Sequence, residues 1–177
     1  MSLESPSSSE TMIEFDPSAV VIRLATAADQ ASVERLFRRG GEEGLLREND
    51  TGADIRNLQN AYLSEPDASG FWVAESDGRV IGMIGVQRTS DAAADIRRLR
   101  VQREYRLRGI GSRLTETAID FCRENSVLKI VLDVRVERAP AIRIFEKFGF
   151  SLSKDRQVDG RRTLDFYLDL YRESPGY

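Results

Sequence analysis

The sequence predicts an α+β fold, a mixed and mostly antiparallel sheet with helices flanking it, and three observations lead there. Seven short segments rich in β-branched and aromatic residues are bounded by turn residues, which is strand patterning. Between several of them the apolar residues recur at helical spacing instead. An Asp-Gly pair joins two of the strand segments as a hairpin, and a strand-helix-strand unit lies in the second half, so antiparallel and parallel neighbours are both expected. At 177 residues and 41% hydrophobic content, the chain suits one domain with one core.

Taken in order, Val20 to Leu24 reads as a first strand. Thr26 then caps a helix whose inward face is Ala31, Val33, Leu36 and Phe37 and which Gly40-Gly41 should end. An acidic stretch follows with Glu42, Glu43, Glu48 and Asp50, and a second helix is marked by Ile55, Leu58, Ala61 and Tyr62. Phe71 to Glu75 and Val80 to Gln87 form a hairpin about Ser76-Asp77-Gly78-Arg79. In the next strand, Ala94 to Val101, Ala94 and Ile96 hold one parity and Leu99 and Val101 the other, so a β-bulge is expected before Leu99. Ile110, Leu114, Ala118 and Phe121 carry a long helix to Asn125. Lys129 to Val134 is a mostly apolar strand, Ala139 to Phe148 a helix with proline in its first turn and Gly149 as its stop. Phe150 to Ser153 and Thr163 to Leu170 close the chain as a hairpin around a polar loop, Lys154 to Arg162.

Charge and composition exclude several classes of function. A formal net charge of -3 and a pI near 5.2 give no global field for nucleic acid or an anionic membrane. Seven arginines lie between Arg97 and Arg113, but Tyr105 is the lone aromatic among them, so no base-stacking platform exists and no nucleic-acid partner is expected. The chain has no histidine, which removes histidine bases, triads and metal ligands, and no metal site is expected. One cysteine, Cys122, permits no internal disulfide and fits a reducing compartment. No apolar run approaches the roughly 20 residues of a membrane span, so the protein is expected to be cytoplasmic with no membrane partner. Residues 1–18 are polar and serine-rich and are expected to be disordered, with 19–172 as the domain and 173–177 as a tail.

Arg106-Leu107-Arg108-Gly109-Ile110-Gly111 joins the bulged strand to the long helix. A helix start leaves backbone N–H groups unpaired at the positive end of its dipole, so an anion is stabilised there. Gly109 and Gly111 let a phosphate approach closely, and Arg103, Arg106, Arg108 and Arg113 supply positive charge. No Gly-Lys-Ser/Thr follows, and the third glycine of a dinucleotide fingerprint is missing, so the ligand is neither a P-loop nucleotide nor a dinucleotide.

This stretch resembles the Arg/Gln-x-x-Gly-x-Gly/Ala signature of the GNAT superfamily of acyl-CoA-dependent N-acetyltransferases. The resemblance runs from about Val20 to Tyr171. Ile22-Arg23-Leu24-Ala25 is similar to that family's first strand, Ile96 to Val101 to its fourth, and Ala141 to Phe150 to its later helix and closing Gly-Phe. It implies a bulged fourth strand splayed from the fifth, with coenzyme A in the gap. Backbone contacts at Leu99 and Val101 are implied, and diphosphate contacts at Arg106, Leu107, Arg108, Gly109, Ile110, Gly111 and Ser112. Acetyl-CoA as co-substrate and a small-molecule or peptide amine as acceptor follow from the same resemblance, as does a possible homodimer through exposed strand edges.

An amine attacks a thioester only when neutral, so a proton acceptor is needed, and without histidine it is a carboxylate or a water held by one. Asp95 stands where several family members carry a glutamate and is the expected catalytic residue. By itself it reads equally well as a strand-end acid paired with Arg97. Phe145 occupies the position at which the family often places a tyrosine acid, with Tyr105 or Tyr167 as stand-ins, and Arg138 replaces a frequent asparagine. Glu42, Glu43, Glu48 and Asp50 favour a cationic acceptor, whereas Arg156, Arg161 and Arg162 favour one with a carboxylate. The expected function is acetyl transfer to a primary amine in a ternary complex; the alternative is an acyl-CoA-binding module without efficient turnover.

Overall fold

The computed structural model describes residues 14–171. Seven strands form one sheet in the order β1-β2-β3-β4-β5-β7-β6. They are β1 (Val21–Leu24), β2 (Ser69–Ser76), β3 (Arg79–Arg88), β4 (Ala93–Val101), β5 (Lys129–Arg135), β6 (Ser151–Val158) and β7 (Arg161–Asp169). Every neighbouring pair is antiparallel except β4 with β5. Helices α1 (Gln30–Glu42) and α2 (Ala53–Arg56) cover one face; α3 (Ile110–Glu124) and α4 (Ala139–Lys147) belong to the other. The alternation of β2 follows directly, because Phe71 and Val73 pack under α1 while Trp72 and Ala74 pack under α3.

Two features of β4 create an opening in the sheet. Arg98 has φ 61°, and the β3–β4 register shifts between Met83 and Gly85, so the bulge falls at the parity break. The parallel pairing of β4 with β5 covers only Ala93–Asp95 with Lys129–Val131, whereas β5 remains paired with β7 to Arg135. Beyond Asp95 the two central strands therefore part.

Four expectations need revision. Helix α1 runs through Gly40-Gly41, because Gly40 is a packing notch: a Cβ there would fall on the Arg100 guanidinium. The turn follows instead at Gly44, φ 70°, whose N–H bonds the Gly41 carbonyl at 2.9 Å. The second helix is only α2, followed by a wide helical turn at Gln59–Leu63. The polar stretch 154–162 is mostly strand. Its turn is Asp159-Gly160 (φ 49° and 72°), the same signal as Asp77-Gly78 (φ 49° and 72°). Exposure of β6 along its length hides the apolar alternation that marks a strand, and the Arg156–Asp165 and Arg162–Asp155 pairs hold the ribbon instead. Within 1–18, residues 14–18 are placed: Phe15 meets Tyr105 edge-on with ring centroids 4.8 Å apart, and Pro17–Ala19 makes a helical turn. Residues 1–13 and the tail 173–177 lie outside the described residues.

Candidate active site

The opening beside β4 leads into a cleft of about 640 Å³. One end is the start of α3. Gly109, φ 80°, has open space where a Cβ would stand and gives the helix no side-chain cap. The first helical bond is Arg113 N–H to the Gly109 carbonyl at 3.1 Å, so the amides of Ile110, Gly111 and Ser112 lack helical partners. Gly111 has a packing reason as well as space for a phosphate, since a Cβ would come within 2.9 Å of Ile144 on α4. Leu107, φ 60°, is 89% exposed at the mouth.

Of the nine residues expected to contact the cofactor, Leu99, Val101, Arg106, Leu107, Gly109, Ile110, Gly111 and Ser112 line this cleft, and Arg108 does not. Arg108 lies over the Phe15 ring at 4.8 Å. Arg113 faces away, donating to the carbonyls of Pro17 and Val20 at 3.1 and 2.7 Å. Arg106 donates through Nε to the Val101 carbonyl at 2.8 Å and pairs with Glu43 at 2.6 Å. Arg138 reaches across from the start of α4 to the Leu99 carbonyl at 2.9 Å. Phe145 is buried edge-on against Phe150, centroids 5.6 Å apart, and brings no proton donor to the cleft. Tyr105 lines the cleft, and Tyr167, on β7, lies under the Lys129 ammonium.

On the α1 side of the same strand, a second cavity of about 550 Å³ holds Asp95. The Asp95 side chain is 28% exposed, with Arg97 Nε 3.8 Å away. Burial raises its pKa to about 6, an effect only partly offset by Arg97, Arg47 and Arg98. The neighbouring charges are already paired. Arg98, turned inward by the bulge, bonds Asp54 through Nε at 2.9 Å and Asp50 through Nη2 at 3.0 Å. Burial alone would push both carboxyls up, but the Arg98 guanidinium holds them below the usual range, aided at Asp54 by the Tyr62 hydroxyl at 2.6 Å. Arg47 pairs with Asp133 on β5.

The segment between α1 and α2 is a strap across the opening. Glu43 ties it to Arg106 ahead of α3, the Gly44 carbonyl and Arg47 tie it to β5, and Asp50 ties it to the β4 bulge. Two of the four acids expected to attract an acceptor, Glu43 and Asp50, are thus committed to internal pairs. Sequence reasoning missed Arg47, Asp54, Asp133 and Arg135. A charged residue inside an otherwise apolar β5, Asp133, was the available signal for one of them.

The sheet opens beside a bulged strand, with an uncapped helix start at one end of the cleft. The family model described as acetyltransferase (GNAT) family matches residues 32–150, and the chain belongs to that family. Among curated relatives, the probable N-acetyltransferase camello of Xenopus tropicalis is 34% identical over 103 residues, 57% of this chain and 47% of that protein. N-acetylaspartate synthetase of Danio rerio is 33% identical over 98 residues, 55% of this chain and 34% of that protein. The matched stretch thus spans less than half the length of either relative. The Salmonella typhimurium protein yncA, solved with its cofactor acetyl-CoA, superposes with a TM-score of 0.76 over 88% of this chain and 96% of that one, at 21% identity. Among the described residues no helix is long and apolar enough to cross a membrane.

Proposed function

We propose that the protein is an N-acetyltransferase that moves an acetyl group from acetyl-CoA to a primary amine by direct attack in a ternary complex. The observation that carries this reading is that one strand lines both cavities: residues 95–98 of β4 wall the charged one and residues 99–101 the cleft leading to α3. A cofactor and an acceptor entering from opposite sides would meet at the bulge. The names of the relatives, N-acetyltransferases, support the reaction class.

The cleft fits coenzyme A on its own chemistry. Uncapped amides at Ile110, Gly111 and Ser112, with Arg106 lining the same cleft, suit a diphosphate, and the open space at Gly109 admits it. The β4 backbone at Leu99 and Val101 suits the pantetheine arm. Both carbonyls are held by arginines, Arg138 and Arg106, so the arm would displace those side chains or bond elsewhere on the strand. Acetyl-CoA supplies, when bound, an activated acyl group on a thiol with a pKa of about 8.5. The chain supplies position and a base. Asp95, mostly ionised above pH 6, takes the proton of the attacking amine directly or through a water. With Phe145 in α4, the thiolate leaves without a phenolic acid from that helix.

A second reading, an acyl-CoA-binding module without turnover, is favoured by Phe145. Calorimetric titration of acetyl-CoA combined with thiol release across an amine panel separates the two. Binding with thiol release only in the presence of an amine is expected. Binding without release from any amine supports the module, and absence of binding removes both readings.

A further inference from the structure

The turn that leads into α3 has a shape its own residues do not favour. Leu107 and Gly109 both lie at positive φ, 60° and 80°, with Arg108 between them. Glycine adopts that region freely, but leucine rarely does, and such a residue persists only where its surroundings hold it. Leu107 cannot supply the hold, because its side chain is almost wholly exposed. The amides of Ile110, Gly111 and Ser112 belong to the helix and are fixed by it; the path of residues 106–109 ahead of them is not.

The hold comes in large part from the residues ahead of β1. Asp16 accepts from the Ser18 backbone N–H at 2.8 Å, and Pro17 sits at the first position of the helical turn Pro17–Ala19. The segment so shaped meets the approach to α3 at three successive points. Before the turn, the Phe15 ring packs edge-on against Tyr105 with an interplanar angle of 65°. Within it, the Arg108 guanidinium lies over the same Phe15 ring. After it, Arg113 donates to the carbonyls of Pro17 and Val20, and Val20 is buried in the core, which anchors the segment. Phe15 thus serves two residues that flank Leu107, and one of them, Tyr105, also lines the cleft. An edge-on aromatic pair and a cation over a ring face are both attractive contacts, so one side chain restrains the turn from two sides.

We propose that Phe15 is a positioning residue for the cofactor: through Tyr105 and Arg108 it holds the turn 105–109 in the shape that admits a diphosphate, without itself touching the cofactor. This rests on the acetyl-CoA binding proposed above. The cofactor then meets a turn already formed. A turn only partly populated in that shape raises the apparent Kd by the inverse of its population.

The test uses the full chain. Phe15→Ala removes the ring, Phe15→Leu keeps apolar bulk without a π face, and Phe15→Tyr keeps the ring. Phe121→Ala is a matched control, since Phe121 makes the same kind of edge-on pair with Trp72, centroids 5.0 Å apart, further along α3. Phe15→Ala should raise the acetyl-CoA Kd about fivefold to tenfold by calorimetry, with Phe15→Leu in between and Phe15→Tyr near the wild-type value. The KM for acetyl-CoA should rise by the same factor, while kcat at saturating cofactor and the KM for the amine stay unaltered. Amide hydrogen exchange should quicken over residues 105–112 and stay unchanged in β5 and β7. Phe121→Ala should keep the wild-type Kd despite a lower melting temperature. An unchanged Kd in the folded Phe15 variants, or an equal rise in Phe121→Ala, would reduce the contact to general stability and overturn the inference while acetyl transfer stands. A tighter Kd would mean that the ring withholds Arg108 from the phosphates, and would overturn it likewise. Failure of the wild type to bind acetyl-CoA removes the transfer reading and this role with it.

Discussion

The two ends of the site are built from different materials. At the α3 end the working groups are main-chain amides and an apolar wall, drawn mostly from the contiguous stretch 99–112. At the α1 end are charged side chains from the strap, β4 and β5: Arg98 with Asp50 and Asp54, and Arg47 with Asp133, are paired across long stretches of chain, whereas Asp95 has Arg97 3.8 Å away. An anion site made of backbone tolerates side-chain change, because its donors are fixed by the helix. A pocket made of ion pairs does not, because removing one partner strands the other.

The largest effect should come from Asp95→Asn, which separates the ends functionally. A lost general base costs about 10²–10⁴-fold in kcat, while acetyl-CoA affinity should hold within twofold by calorimetry. The kcat/KM profile of the wild type should fall on the acid side with an apparent pKa near 6, and this limb should vanish in the variant. The sign for stability is opposite to that of a salt-bridged acid. Because folding raises this pKa from 3.8 to about 6, the ionised group opposes folding above pH 6, and that penalty disappears as pH falls toward 4. Asp95→Asn should therefore raise the melting temperature at pH 7, with a gain on the order of 2 kcal/mol, and lose that advantage at pH 4.

Arg98→Met comes next and strikes the acceptor end alone. It leaves Asp50 and Asp54 buried without their cation, a loss of about 3–5 kcal/mol in chemical denaturation. Lowering the pH should partly rescue the variant, since both carboxyls are held down by Arg98 and would protonate once it is gone. Gly40→Ala is smaller and probes the junction between the ends. Arg100 is 5% exposed, with Nε and Nη1 unpartnered among the described residues, and burial lowers its pKa to about 10, with Arg138 adding repulsion. A methyl pushed into that guanidinium should cost about 1–3 kcal/mol, although alanine is the better helix former. Glu43→Gln is the mildest. Its partly exposed pair with Arg106 is worth under about 1 kcal/mol, so stability should barely change while the acetyl-CoA Kd shifts by no more than a few fold.

Much of the fold, and the local geometry of half of the candidate site, is legible in the chain. The parity break in β4 located the bulge, Asp77-Gly78 located a hairpin, and Gly109 with an apolar helical repeat behind it located the uncapped helix start. The hairpin at Asp159-Gly160 carries the same local signal, but β6 is exposed along its length and tied to β7 by cross-strand ion pairs, so no apolar alternation marks it. Phe15 is hidden from sequence patterns because one aromatic in a polar run has no period; its partners, Tyr105 and Arg108, are some 90 residues away.

The sequence by itself determined what depends on neighbours in the chain: strand and helix periods, turn residues, the absence of histidine, and the backbone site at the start of α3. Tertiary structure alone decided which charges meet. That Arg98 holds Asp50 and Asp54, that Gly40 is a notch for Arg100, and that Arg138 bonds the Leu99 carbonyl all depend on bringing residues 40–54, 98–100 and 138 of the chain to one opening. Local patterns report the face on which a side chain lies, not the distant group it finds there, because long-range pairing is set by the sheet order and the bulge rather than by spacing along the chain.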